Sequence, residues 1–173
     1  QMTAVLESAA MADKYGIPVP SFSSNPKADK GANRDKRKSL LDACIFAQNF
    51  FALQLQAEIS NPNTEAAQYI AKRGLTAELC AKFQLGLAPV SGWQQLQNAA
   101  QKAHFSNEIL SQAGLLVERE ERVYDRFRNR IMFPIHDANG NPVAFGGRVY
   151  HSSAKQDDPK YINSPETELY KKG

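Results

Sequence analysis

Arg126, Arg128 and Arg130 stand at a spacing of two in the run YDRFRNRIMFPI that begins at Tyr124, and Arg148 follows the pair Gly146 and Gly147. Guanidinium is planar, stays charged at physiological pH and offers a fork of donors that matches a phosphate bidentately. A row of such groups suits a polyphosphate or a nucleic-acid backbone. If this stretch is an extended strand of a paired ribbon, the three arginines project from one face while Phe127, Asn129 and Ile131 take the other. The competing reading is a solvated strand whose arginines pair with Glu118, Glu120 and Glu121. Two glycines in a strand mark a bulge, a bend or a close approach of backbone to a ligand. Beyond them, KYINSPETEL supplies Lys160 and Asn163 for phosphate, sugar or base edges and Tyr161 as a stacking face. Residues 124–173 therefore read as a basic surface with one aromatic platform, a composition suited to single-strand or nucleotide contact.

The elements that must position these residues come in two blocks. After Gly114 the pattern is that of strands, LLVERE, RVYDRF, RIMFPIHD and NPVAFGGRVY, with Asp137, Asn139 and Gly140 supplying the chemistry of a hairpin turn. Ile131, Phe133 and Ile135 alternate with Met132 and Pro134, so one face is expected to be buried, and Pro134 argues for an edge or a bulge. Before Gly114 the pattern is helical. From Ser39, Leu40, Cys44, Ala47, Phe51 and Leu55 form an apolar stripe, widened by Phe46 and Phe50, which suits a helix packed on two sides or, alternatively, a partner-binding groove. Asn63 or Thr64, Thr76 and Ser106 are placed to cap three shorter helices. Trp93, the sole tryptophan, is expected to be a core or helix-packing residue, the alternative being a platform for a base. Helices first and an antiparallel sheet second make the fold α+β rather than a doubly wound parallel sheet.

Upstream, Thr3 to Tyr15 reads as one short helix, stopped by Gly16 and Pro18. Residues 27–38, KADKGANRDKRK, follow a stretch rich in Ser and Pro and read as a flexible basic linker with weak affinity for phosphates at most. The expected organisation is thus a helix and linker over 1–38 and a folded domain over 39–173. With 173 residues, 42% hydrophobic and 23% charged, the chain is ordinary globular stock, and its net charge of +3 is too mild to advertise a partner by itself. No apolar run is long enough to span a membrane, and Glu7 and Asp13 interrupt what a signal peptide needs, so the expected location is the cytoplasm. Cys44 and Cys80 make no disulfide framework and, with three scattered histidines, no zinc site. Asp157 and Asp158 read as solvated loop carboxylates rather than as metal ligands.

YDRFRNRIMFPI, then AFGGRV, then KYINSPETELYKKG, in that order and spacing, resemble bacterial DNA primase, and AAQYIAKRGLT and FQLGLAPVSGW upstream are similar to the same family, so the resemblance runs from Ala66 to Gly173. It implies a DNA-directed RNA polymerase that makes short RNA primers for replication, built from a zinc-binding module, a polymerase core and a helicase-binding module. It implies as partners a single-stranded DNA template, RNA primer and nucleoside triphosphates. The replicative helicase and single-strand-binding protein would be met by other parts of the full protein. Two departures qualify it: zinc ligands are lacking, and the family's metal-holding carboxylates lie in a toprim subdomain that would begin just beyond Gly173. The expectation is therefore the N-terminal subdomain of the core, inactive alone and binding no cofactor itself, with Mg2+ or Mn2+ and Zn2+ belonging to the absent domains.

The resemblance further implies that Arg73 lies with the groove that guides template, although a cation at the end of a helix also complements its dipole. It carries Arg73, Arg148, Lys160 and Tyr161 as a set, with Arg126, Arg128 and Asn163 beside them and Lys172 as the closer match to a phosphate-facing lysine. Two other functions stay open: a non-catalytic single-stranded nucleic-acid or docking module, and a site regulated by a polyphosphorylated nucleotide.

Overall fold

The computed structural model describes residues 26–152 and 154–173. The helix expected over 3–15 lies outside them. The chain divides into two compact units, residues 1–34 and 35–173.

A long helix, α1 (Pro26–Ile59), is followed by the short helices α2 (Glu65–Lys72) and α3 (Ala77–Lys82), strand β1 (Gly86–Ala88), helices α4 (Gln95–Lys102) and α5 (Asn107–Gln112), and strands β2 (Leu116–Arg119), β3 (Arg122–Asp125), β4 (Arg130–His136), β5 (Pro142–Arg148) and β6 (Tyr161–Asn163). The α+β expectation holds. One antiparallel sheet has the order β1-β4-β5-β6, and β2 and β3 form a separate hairpin. The three expected caps are made: Thr64 accepts from the Ala67 N–H, Thr76 from Leu79 and Ser106 from Ile109, each satisfying a donor that the first turn leaves open.

The segment 27–38, expected from its composition to be a flexible tether, is instead the first part of α1. Lysine, arginine and alanine are good helix formers, and Pro26 at the first helical position has the right φ and no N–H to waste. Tertiary contacts hold the end of this stretch, since Lys36 pairs with the Glu168 carboxylate and Arg37 donates to the Glu168 carbonyl.

From Leu40 onward the apolar stripe of α1 is buried as its spacing requires, with Leu40, Cys44, Ala47, Phe51 and Leu55 all in the core. Burial pushes the Cys44 thiol up to about 12 and raises Cys80 as well, so both are uncharged packing residues at neutral pH. The sheet is covered on both faces at the start of β4, rather than on one. Directly paired residues share a face, and Gly86 pairs with Met132 while Leu87 pairs with Ile131. Met132 and Ala88 belong to the core built on α1, α4 and α5, whereas Leu87 and Ile131 join Ile70, Cys80 and Leu85 under α2 and α3. Pro134 lies where β1 has ended and only β5 is paired, one residue before the register shift at Ile135 and His136, a position that tolerates a missing donor.

β1 was not legible as a strand. Its seat on α1 depends on Gly86, because a Cβ there would stand 2.4 Å from Phe51 Cβ and 2.8 Å from the Phe51 carbonyl carbon. Gly86→Ala must push the strand off the helix backbone and is expected to destabilise the domain by about 1–3 kcal/mol. Thermal unfolding followed by circular dichroism checks this, and an unchanged melting temperature would show that β1 is not seated there.

Candidate nucleic-acid interface

The three arginines of the YDRFRNR run do converge, but not as the face of a strand. β3 ends at Asp125 and β4 begins at Arg130, and between them Asn129 takes a left-handed φ of 51°, a conformation asparagine tolerates better than most residues. Phe127 is driven into the core, against Phe51 and Phe145, so its neighbours Arg126 and Arg128 turn outward on either side. Gly146 and Gly147 do not open the backbone to a ligand. The space at Gly147 is taken by the chain's own Phe127 and Arg130 side chains, 3.2 and 3.0 Å from where a Cβ would lie, and that at Gly146 by Asn163.

Arg126, Arg128 and Arg130 line one open cleft of about 320 Å3, together with Trp93, Asn129, His151 and Asp158. Each is anchored differently. Arg126 donates through Nε and Nη2 to the Asn163 carbonyl, both at 3.3 Å. Arg130, only 8% exposed, donates to the Pro159 carbonyl at 2.8 Å. Arg128 lies over the Trp93 ring, 3.7 Å from its centroid, and 5.0 Å from that of Tyr124, with Nη1 buried and unpartnered. None of the three is within ion-pairing distance of a carboxylate among the described residues. The alternative of salt bridges to Glu118, Glu120 and Glu121 is therefore not realised, and Glu118 instead accepts from the Ser111 hydroxyl. Burial draws all three guanidiniums below their usual range, with Asp125 opposing the shift at Arg128 and Asp158 that at Arg130. Three half-desolvated cations on one cleft create a field that an anion relieves.

Trp93 is the largest departure from expectation. It is 63% exposed and stands at the rim of the cleft, its ring edge-on to Tyr124 at 5.5 Å. A planar guanidinium gives the indole a contact that a helix face was expected to provide.

A second cluster occupies the other face of the sheet. Arg148 pairs with Ile131 and with Tyr161 across the strands, so these three share a face opposite to Arg130 and Met132. Arg148 donates to the Tyr161 hydroxyl and lies 5.0 Å from that ring and 5.8 Å from Tyr69, over which Arg73 also sits at 5.3 Å. Arg73, Arg148 and Tyr161 are thus brought together, around a tyrosine that sequence reasoning missed although Tyr69 and Arg73 stand at a helical spacing of four. Tyr161 is 54% exposed, while the β6 backbone bonds to β5. Lys160 is exposed beside it, with its carbonyl accepting from Val149. The Asn163 side chain is exposed and its carbonyl anchors Arg126. Lys172 is exposed in the C-terminal segment, its N–H donating to Glu166, and joins neither cluster.

An α+β domain carrying cationic and aromatic groups on both faces of a small sheet is the class that fold and site define. The chain belongs to the DNA primase family, for residues 50–173 match the domain described as DNA primase catalytic core, N-terminal domain. It is 40% identical to the DNA primase of Neisseria meningitidis over 94% of this chain and 26% of that protein, and 40% identical to that of Escherichia coli over 81% of this chain and 23% of that protein. It spans about a quarter of these relatives' length. Among solved structures, the RNA polymerase domain of Mycobacterium tuberculosis primase DnaG in complex with double-stranded DNA is similar with a TM-score of 0.69 and 37% identity, over 78% of this chain and 41% of that one. A DnaG primase catalytic domain bound to single-stranded DNA is similar with a TM-score of 0.66 and 39% identity, over 80% of this chain and 41% of that one.

Because the Tyr161 ring is exposed and only the β6 backbone is structural, Tyr161→Ala is expected to change thermal stability by no more than about 0.5 kcal/mol. A fall of many degrees in the melting temperature would make the tyrosine a core residue and the KYINSPET segment a strap alone.

Proposed function

We propose that this chain supplies the template-facing and nucleotide-facing basic surface of a DNA primase, a DNA-directed RNA polymerase that lays down short RNA primers for replication in the bacterial cytoplasm. The observation that carries this reading is the convergence of Arg126, Arg128 and Arg130 with exposed Trp93 on one cleft, where three guanidiniums face the single carboxylate of Asp158 and none of them forms an ion pair among the described residues. Guanidiniums at this spacing hold successive phosphates of a single strand without reading sequence, and an indole at the rim offers a base a stacking partner. The cluster of Arg73, Arg148 and Tyr161 on the other face, with exposed Lys160 next to Tyr161 in sequence, is assigned to template or nucleotide, its cations balancing phosphate charge and Tyr161 stacking on a base. Asn163 and Lys172 are assigned to sugar or phosphate. The DNA present in the structures of similar primase domains supports the template assignment.

The bond-forming step, attack of a 3′-hydroxyl on an α-phosphate, is assigned to another part of the polypeptide. Among the described residues no three His, Cys, Asp or Glu side chains gather where a metal ion could sit, and the Mg2+, Mn2+ and Zn2+ that the family implies are assigned to its other domains. Contacts with the replicative helicase and single-strand-binding protein are likewise assigned elsewhere. No described helix is long and apolar enough to cross a membrane.

The chain is expected to bind labelled single-stranded DNA in fluorescence anisotropy, with affinity falling steeply between about 50 and 200 mM salt. Arg128→Ala, which removes a phosphate contact and uncovers Trp93, should weaken binding and flatten the salt slope by roughly one unit. A folded chain that shows no binding at about 50 mM salt would overturn the assignment. With template, nucleoside triphosphates and Mg2+ or Mn2+ the chain is expected to give no labelled primer on a gel. Any product would point to an overlooked site among Asp125, Asp137, Asp157 and Asp158.

A further inference from the structure

Asp125 is a carboxylate 2% exposed, it is no part of either arginine cluster's direct contacts, and the proposed function leaves it without a task. Its two oxygens accept from the first turn of α4, Oδ2 from the Leu96 N–H at 2.7 Å and Oδ1 from the Gln97 N–H at 3.0 Å. The residue that precedes α4, Gln94, makes no side-chain cap of its own, so a residue distant in sequence satisfies the open donors and complements the helix dipole. The Asp125 N–H bonds in turn to the Trp93 carbonyl at 2.8 Å. One residue therefore grips the chain on both sides of Gln94, immediately after the indole.

The rest of the loop is sewn to the same segment. Gln94 Nε2 donates to the Val123 carbonyl at 2.8 Å, and the Asn129 N–H to the Pro89 carbonyl at 3.1 Å. Every one of these contacts joins residues 89–97, the loop that carries Trp93 and the first turn of α4, to residues 123–129, the stretch that carries Arg128, and Asp125 supplies three of them. The ring of Trp93 has no helix face to lie on, being largely in solvent, so its position against the Arg128 guanidinium is set by its backbone. Asp125 also opposes the lowering that burial imposes on the Arg128 guanidinium, which favours its charged form.

We infer that Asp125 is a positioning residue of the cleft: by capping α4 and holding the Trp93 carbonyl, it fixes the indole under Arg128 and so presents the stacking platform and the central cation as one rigid unit to a single strand. The part that concerns DNA rests on the proposed function, whereas the part that concerns Trp93 does not. Preorganised platforms bind more tightly because less freedom is lost on binding.

Trp93 is the only tryptophan, so its emission and its quenching by acrylamide report the platform without a label. In the full chain, Asp125→Ala is expected to shift the emission and raise the quenching of Trp93 while circular dichroism stays native, and to weaken binding of an oligothymidylate by roughly fivefold or more. Leu40→Ala, a core truncation in α1, serves as the control for mere loss of stability and is expected to lower the melting temperature yet leave emission and affinity unchanged. Combining Asp125→Ala with Arg128→Ala should cost less than the two losses added together, since both act through one unit. If Asp125→Ala does not fold, Asp125→Asn decides, because it keeps an acceptor for one of the two N–H groups: altered Trp93 quenching supports the role, and wild-type quenching with wild-type affinity overturns it. Wild-type emission and affinity in folded Asp125→Ala overturn it equally, as does the same change in Leu40→Ala. Altered Trp93 emission with DNA binding that neither Arg128→Ala nor Asp125→Ala affects would uphold the positioning of the ring and sink the proposed function instead.

Discussion

Phe51 of α1 meets three parts of the chain that are far apart in sequence, and the arrangement of the domain follows from that meeting. Gly86 of β1 lies against its backbone, Phe145 of β5 sits edge-on to its ring at 5.6 Å, and Phe127 of the connection between β3 and β4 does the same at 6.5 Å. Edge-to-face rings carry a geometric preference that plain apolar contact lacks. The helix thereby fixes where the sheet begins, which face of β5 turns inward and where the arginine-bearing connection is pinned. Remove the absence of a Cβ at Gly86 or the ring at Phe127, and the site has no fixed frame.

The arginines owe their convergence to this burial of a phenylalanine between them. A surface strand would have left three long, flexible side chains in water, each free to collect a glutamate. Here Phe127 is locked in the core, and Arg126, Arg128 and Arg130 are held by a carbonyl, an indole and a carbonyl in turn. Those partners restrict the guanidiniums without neutralising them, because a carbonyl dipole or a ring face compensates part of the desolvation and leaves the net charge standing. The charge stays available to an anion in a geometry already formed.

The sheet then separates two chemistries. Arg148, Tyr161, Tyr69 and Arg73 stack alternately on one face, cation against ring, while the cleft of the three arginines opens on the other. A four-stranded sheet only a few residues wide can carry two separate clusters in this manner because pleating sends neighbouring residues of one strand to opposite sides: Arg130 and Ile131 part company at the first step of β4.

Much of this was legible in the residues alone. The helical stripe from Leu40 to Leu55, the caps at Thr64, Thr76 and Ser106, the four strands after Gly114 and the turn at Asp137 to Gly140 all rest on local periodicity or on a side chain bonding its own neighbourhood, which spacing encodes directly. So does the set of cationic residues, since charge type is a property of the residue. What spacing does not encode is partnership across the fold. The stretch 27–38 became helix with Lys36 and Arg37 tied to Glu168, a residue at the far end of the chain. β1 and β6, each three residues long, pair only with β4 and β5, and the exposure of Trp93 goes with its contacts to Arg128 and Asp125, residues more than thirty positions away. One left-handed residue, Asn129, breaks the alternation that a spacing of two predicts for the arginine row. The local interactions that spacing records are short-range and determined the elements; the choice of faces, edges and exposed rings was decided by contacts between residues brought together only when the chain had closed.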